Sequence, residues 1–146
     1  MPPQMSASTC HALIRRSIDL RQLYCHAAAS CEPGMRVVLG ENAQTLSQLI
    51  GDLQAQQRAA GARPCVRGSW RGMLRRYLTG WLMRAAARPN SAWIRALVHH
   101  ETALLRAFEQ AIAAAPANSA LALRRQLPRL RGIHLDMHSL AGSARY

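Results

Sequence analysis

Four polar residues fall inside apolar helical stripes, and theirs are the side chains whose type and spacing could do chemistry. At about 100° per residue, Glu101 lies near the centre of the stripe made by Leu97, Leu104, Leu105 and Phe108. His134 falls beside Leu130, Ile133 and Met137, Asn42 between Val38, Leu39, Leu46 and Leu49, and Tyr24 close to Leu20 and Leu23. A carboxylate and an imidazole turned into a helical bundle are donors of the kind that hold iron, manganese or zinc. The same groups can instead hydrogen-bond across the helices as a polar layer that sets helix register. A buried carboxylate needs one of these arrangements, because it is costly unless neutralised, paired, hydrogen-bonded or metal-bound.

The ligand set separates the two readings. A di-metal bundle site takes a Glu from each of two helices and a Glu-x-x-His from each of the others. The chain has no Glu-x-x-His: Arg131 stands three residues before His134, and Asn42 is a poor substitute for a carboxylate. A buried layer of Tyr24, Asn42, Glu101 and His134 is therefore the first expectation, with no resident cofactor. A metal ion on Glu101 and His134 is the alternative. His138 falls at the stripe edge, His99 points away from the apolar face and His100 to its flank. No Ser-His-Asp order, Gly-rich phosphate loop or paired-carboxylate spacing assigns a catalytic residue.

These groups must be positioned by helices, because β-branched alternation is nearly absent. A chain of 146 residues with 49% hydrophobic residues has the size and apolar content of one ordinary domain. The spacing predicts helices over 9–30, 35–60, 91–115 and 119–140, with flexible ends at 1–8 and 142–146 and one domain over 9–141. Ser8 or Thr9 is the expected first N-cap and Ser91 that of the third helix. Pro128 should kink the fourth helix or split off its first turns. The long connection carries a helix of its own over about 69–84, where Trp70, Met73, Leu74, Tyr77, Leu78, Trp81 and Leu82 form an apolar stripe. Trp70, Tyr77, Leu78 and Trp81 should pack on the bundle or on a second subunit.

Heights along the helices select a topology. Tyr24 and Asn42 lie at similar distances from the Pro33 turn, and Glu101 and His134 from the Pro116 turn. With both turns at one end the two pairs would sit roughly 8–10 Å apart in level, at about 1.5 Å per residue. With the 61–90 connection running the length of the bundle, the second and third helices are parallel and the pairs nearly coincide. The expected fold is all-α: a ferritin-like four-helix bundle with a long helical crossover between its second and third helices.

The cysteines, Cys10, Cys25, Cys31 and Cys65, form no CxxC and no zinc-finger spacing, so they read as reduced, small apolar residues. Met1 to Arg16 carries no secretory pattern, and no apolar run approaches the ~20 residues of a membrane span. A soluble cytoplasmic protein is expected. All 19 basic residues are Arg, against 7 acidic ones, for a net charge of +12. That field suits anionic partners without specifying a fold, and the absence of Lys reads as codon bias.

Gly68-Ser69-x-x-Gly72-x-x-x-Arg76, the aromatic-rich helix after it and a Glu101-centred helix ending in Phe108 together resemble a known family. It comprises small bacterial ferritin-like four-helix-bundle proteins, classed as a domain of unknown function and often linked to stress responses. Asp19-x-x-x-x-Tyr24 is similar to that family's Asp-Gly-x-x-Gly-Tyr segment, Asp52-Leu53 to its Glu-Leu, and His134 to its fourth-helix histidine. The resemblance covers roughly residues 11 to 141. Leu20 and Leu23 depart from its small residues, and His100 stands where it often has Gly. The resemblance implies a fold and a cytosolic setting, with no established activity.

Three functions follow. The first is a non-catalytic bundle acting through assembly, as a homo-oligomer, or through partner binding. The second is a metal-binding, oxidoreductase-like bundle using Glu101 and His134. The third is a weak, nonspecific binder of nucleic acid or an anionic membrane. Arg67, Arg71 and Arg75 repeat at i+4 as one basic face, opposite Trp70, Tyr77 and Trp81.

Overall fold

The computed structural model of the protein describes residues 6–68, 78 and 89–143. They form α1 (Ala7–Ser30), α2 (Pro33–Ala59), α3 (Pro89–Ala114), α4 (Ala117–Arg124) and α5 (Leu127–Ser143), with no strand among the described residues. The first four-helix expectation holds in outline, since α4 and α5 together fill the place of one helix split in two. Among the described residues, no helix is long and apolar enough to cross a membrane.

Local chemistry moves the predicted boundaries. α1 starts earlier than Ser8 or Thr9 because Ser6 is its cap, its hydroxyl accepting the Thr9 N–H at 3.1 Å. Ala7 and Ser8 are therefore already helical. α2 begins at Pro33 rather than at 35, since a proline in the first turn has no N–H to leave unpaired. Its end is a Schellman turn: the Gly61 N–H donates to Arg58 O at 3.0 Å and the Ala62 N–H to Gln57 O at 2.9 Å. Gly61 supplies the positive φ of 81° that this turn requires.

Ser91 is inside α3 and not its cap, and α5 continues to Ser143, past the expected end at 140. The fourth helix splits at Arg125 and Gln126, so that Pro128 falls in the first turn of α5, where its missing N–H costs nothing.

α1 packs against α2 and α3, and α5 packs against the same two, which leaves α2 and α3 on a diagonal. Asn42 of α2 touches Met137 near the end of α5, while Asp52 touches Gln126 and Arg129 near its start. α2 and α5 are therefore antiparallel. The start of α1, the end of α2 and the start of α4 meet around one pocket, lined among others by Cys10, Gln57 and Asn118. α3 ends just before α4 at that same end, so α2 and α3 run in the same direction. The segment after α2 turns back along α1: Cys65 lies against Gln54 and Gln57, and Gly68 against Ile18 and Asp19.

Leu39, Leu46, Leu49 and Leu53 of α2 meet Leu97, Leu104 and Phe108 of α3 and Leu130, Ile133 and Met137 of α5 in one core. α1 buries more than its predicted stripe, adding Cys10, Ile14, Ser17 and Ile18, because it is covered on two sides. Ser17 is accommodated by donating its hydroxyl to Leu13 O at 2.7 Å.

The connecting helix expected over 69–84 lies outside the described residues, apart from Leu78. Leu78 is 59% exposed, not packed on the bundle.

Candidate functional site

Tyr24, Asn42 and Glu101 come from three different helices and are all buried: Tyr24 and Glu101 are wholly sealed from solvent. Each is flanked along its stripe by core side chains: Tyr24 by Leu20 and Ala27, Asn42 by Leu39 and Leu46, Glu101 by Leu97 and Leu104. His134 closes the layer from α5 with its ring at the boundary, 29% exposed. Its Nδ1 lies 2.7 Å from Glu101 Oε2, a hydrogen bond in which one proton is shared between carboxyl and imidazole. The exposed His138 stacks edge-on against His134, ring centres 4.2 Å apart.

The four groups do not form a continuous hydrogen-bonded chain, contrary to expectation. Glu101 Oε1 and the Tyr24 hydroxyl are buried without a hydrogen-bond partner. Asn42 turns its amide toward Met137, with Nδ2 3.7 Å from the sulfur.

Burial dominates the electrostatics. It pushes the Glu101 carboxyl above the ordinary carboxylate range, against the opposing pull of His134 and, further off, His138. Burial also pushes the Tyr24 phenol well above its ordinary range, reinforced by the Glu101 carboxylate and opposed by Asn42. The phenol therefore stays protonated and acts as a neutral group.

Glu101 Oε2 and His134 Nδ1 are joined to each other. Among the described residues, no three His, Cys, Asp or Glu side chains converge where they could hold a metal ion.

A second polar cluster lies on the surface between α2 and α5. Arg129 donates to Asp52 at 2.6 Å, and Gln126 donates to the same carboxylate oxygen at 3.1 Å. Those bonds, Arg129 first, hold the Asp52 carboxyl below its ordinary range. Arg67 is exposed, while Arg71 and Arg75 lie outside the described residues.

Several polar positions escape the stripe reading. Gln57 and Gln126 are buried, and the Gln54 and Gln57 side chains hold both backbone groups of Cys65 at 2.8 Å each. The signal that singles out Asn42 was available for both buried glutamines: Gln57 follows Leu53 by four residues, and Gln126 falls between Leu123 and Leu130. Asp19 and Gly68 are brought together, since a Cβ on Gly68 would overlap the Asp19 carboxylate.

No protein-family model, curated protein or solved structure matches the chain.

Proposed function

We propose that the protein is a non-catalytic, ferritin-like four-helix bundle that works by assembly or partner binding, with the Glu101–His134 pair as an internal pin. The observation that carries this reading is the 2.7 Å bond between Glu101 Oε2 and His134 Nδ1, which joins the two strongest donors of the layer to each other. The shared direction of α2 and α3, and the return of residues 63–68 along α1, support a crossover of the ferritin-like kind. The resemblance of its short motifs to a stress-linked bacterial family would set such a bundle in the cytoplasm.

Metal analysis of the purified protein, with melting curves in added iron, manganese and zinc, tests this reading against the metal-binding alternative. The pin predicts no stoichiometric metal and a melting temperature indifferent to all three ions. A stoichiometric metal that raises the melting temperature, and is lost in both Glu101→Gln and His134→Ala, would establish a metal site instead.

A second reading, an anionic partner, draws on charge. Arg58, Arg63, Arg67, Arg124 and Arg125 are all exposed, in a chain of net charge +12. Binding to nucleic acid by such a surface should be weak, nonspecific and steeply salt-dependent. Replacing Arg67, Arg71 and Arg75 by Gln should flatten the salt slope by about one unit per lost phosphate contact. A slope unchanged by the triple replacement would remove that face from the interaction.

A further inference from the structure

Two of the four cysteines are brought to the same end of the bundle, and the pin does not use them. Cys10 and Cys65 are both buried, each 6% exposed, and both are free thiols. Gln57 adjoins both: its Oε1 accepts the Cys65 N–H at 2.8 Å, and its side chain shares a pocket wall with Cys10. The chain path keeps Cys65 within reach of that end. Gly68 rests on Ile18 and Asp19, and the three residues back to Cys65 span at most about 10 Å. At about 1.5 Å per residue, that reach covers at most some seven residues of α1, from Ile18 back toward Cys10.

The two thiols differ in access and in restraint. Cys10 lines a pocket of about 360 Å³ whose walls are mostly small, including Ala60, Ala62 and Ser119. Cys65 is fixed from behind, its N–H and C=O held by Gln57 and Gln54 and its Sγ donating to Arg67 O at 3.3 Å. The pocket opens Cys10 to a small solute, while the Cys65 backbone is held in place.

We propose that Cys10 and Cys65 form a reversible disulfide, with hydrogen peroxide as the oxidant and Cys10 as the thiol that meets it in the pocket. The Cys10 sulfur attacks one peroxide oxygen: an S–O bond forms, the O–O bond breaks, and the departing hydroxide leaves as water with the thiol proton. The Cys65 sulfur then attacks the sulfenic sulfur, forming S–S and breaking S–O, and the second hydroxide leaves as water with the Cys65 proton. Two thiols and one peroxide become one disulfide and two waters, the two electrons passing from sulfur to peroxide. The bond would tie the start of α1 to the start of the long connection.

Burial, and then the neighbouring Cys65, raise the Cys10 thiol above its ordinary range, so the reaction should quicken as pH rises. The test uses the full chain carrying Cys25→Ser, which removes the exposed thiol. After hydrogen peroxide, peptide mapping should find Cys10 joined to Cys65, with two hydrogens lost, no oxygen retained, and full reversal by dithiothreitol. Dimedone should then label Cys10 in a further Cys65→Ala variant, where the sulfenic acid has no resolving thiol, and should leave Cys10 unlabelled in the parent. Two outcomes would overturn the proposal. One is both thiols intact at a peroxide dose that oxidises Cys25 in the wild type. The other is Cys10 carried to sulfinic acid while Cys65 stays a free thiol.

Discussion

Tyr24 and Glu101 share one buried layer from two packed helices, and each carries an oxygen with no hydrogen-bond partner. A buried polar atom left unpaired costs about 1–3 kcal/mol. The layer tolerates this because its two oxygens are not equivalent in charge. Glu101 is held by His134 on its other oxygen, and the Tyr24 hydroxyl stays neutral. What the layer contributes is therefore concentrated in one bond, with Tyr24 and Asn42 filling space around it.

Removing the Tyr24 hydroxyl should cost nothing. Tyr24→Phe keeps the ring in place and deletes a buried donor without a partner, so stability should hold or rise by up to about 1 kcal/mol. Urea denaturation checks it. A loss of more than about 1 kcal/mol would mean that the hydroxyl is partnered in solution.

The two ends of the pin should respond unequally. Glu101→Gln keeps shape and hydrogen-bonding capacity and should lose under about 1 kcal/mol, whereas His134→Ala strips the imidazole partner from a buried carboxyl and should lose about 1–3 kcal/mol. Equal losses, measured by the same denaturation, would contradict the assignment.

Acid should favour the wild type over Glu101→Gln. Burial raises the folded-state pKa of Glu101 above its ordinary value of 4.5, so its contribution is fully present below 4.5 and is lost as pH rises through the folded pKa. As pH falls from neutral toward 4.5, wild-type stability should therefore gain on the variant, by at most about 1.4 kcal/mol per pH unit. Asp52 titrates in the opposite sense, its lowered pKa giving stability that disappears below 3.8, but it does so in both proteins and cancels. A difference that stays flat with pH would show that Glu101 is not desolvated.

Gly68 should resist a side chain. A Cβ there overlaps the Asp19 carboxylate and comes within 3.4 Å of Ile18 Cγ2. Gly68→Ala should lose about 1–3 kcal/mol, and less in an Asp19→Ala background, where the obstruction is gone. Equal losses in both backgrounds would separate the two residues.

Periodicity made the four helical stripes legible, because each stripe repeats the same signal over several turns. Leu97, Glu101, Leu104 and Phe108 place the carboxyl inward however the helix ends are drawn. The ends were less legible, since each depends on one local bond, such as the Ser6 cap, or on one ring, such as Pro33. The partner of Glu101 could be read from level and face. The contact of Asn42 with Met137 could not, because it depends on side-chain rotation. The clamp of Gln54 and Gln57 on Cys65 was hidden because residues 62–68 have no periodicity to extrapolate.

The central claim is that Glu101 and His134 stabilise the bundle through each other. A double-mutant cycle with Glu101→Leu, His134→Leu and the combined variant, read as unfolding free energies, measures that coupling with no assumption about metal or partner. The pin predicts that the double variant loses less than the two single losses added together, by at least about 1 kcal/mol, since each single change leaves a polar group buried and unpaired. Losses that add to within about 0.5 kcal/mol would contradict it.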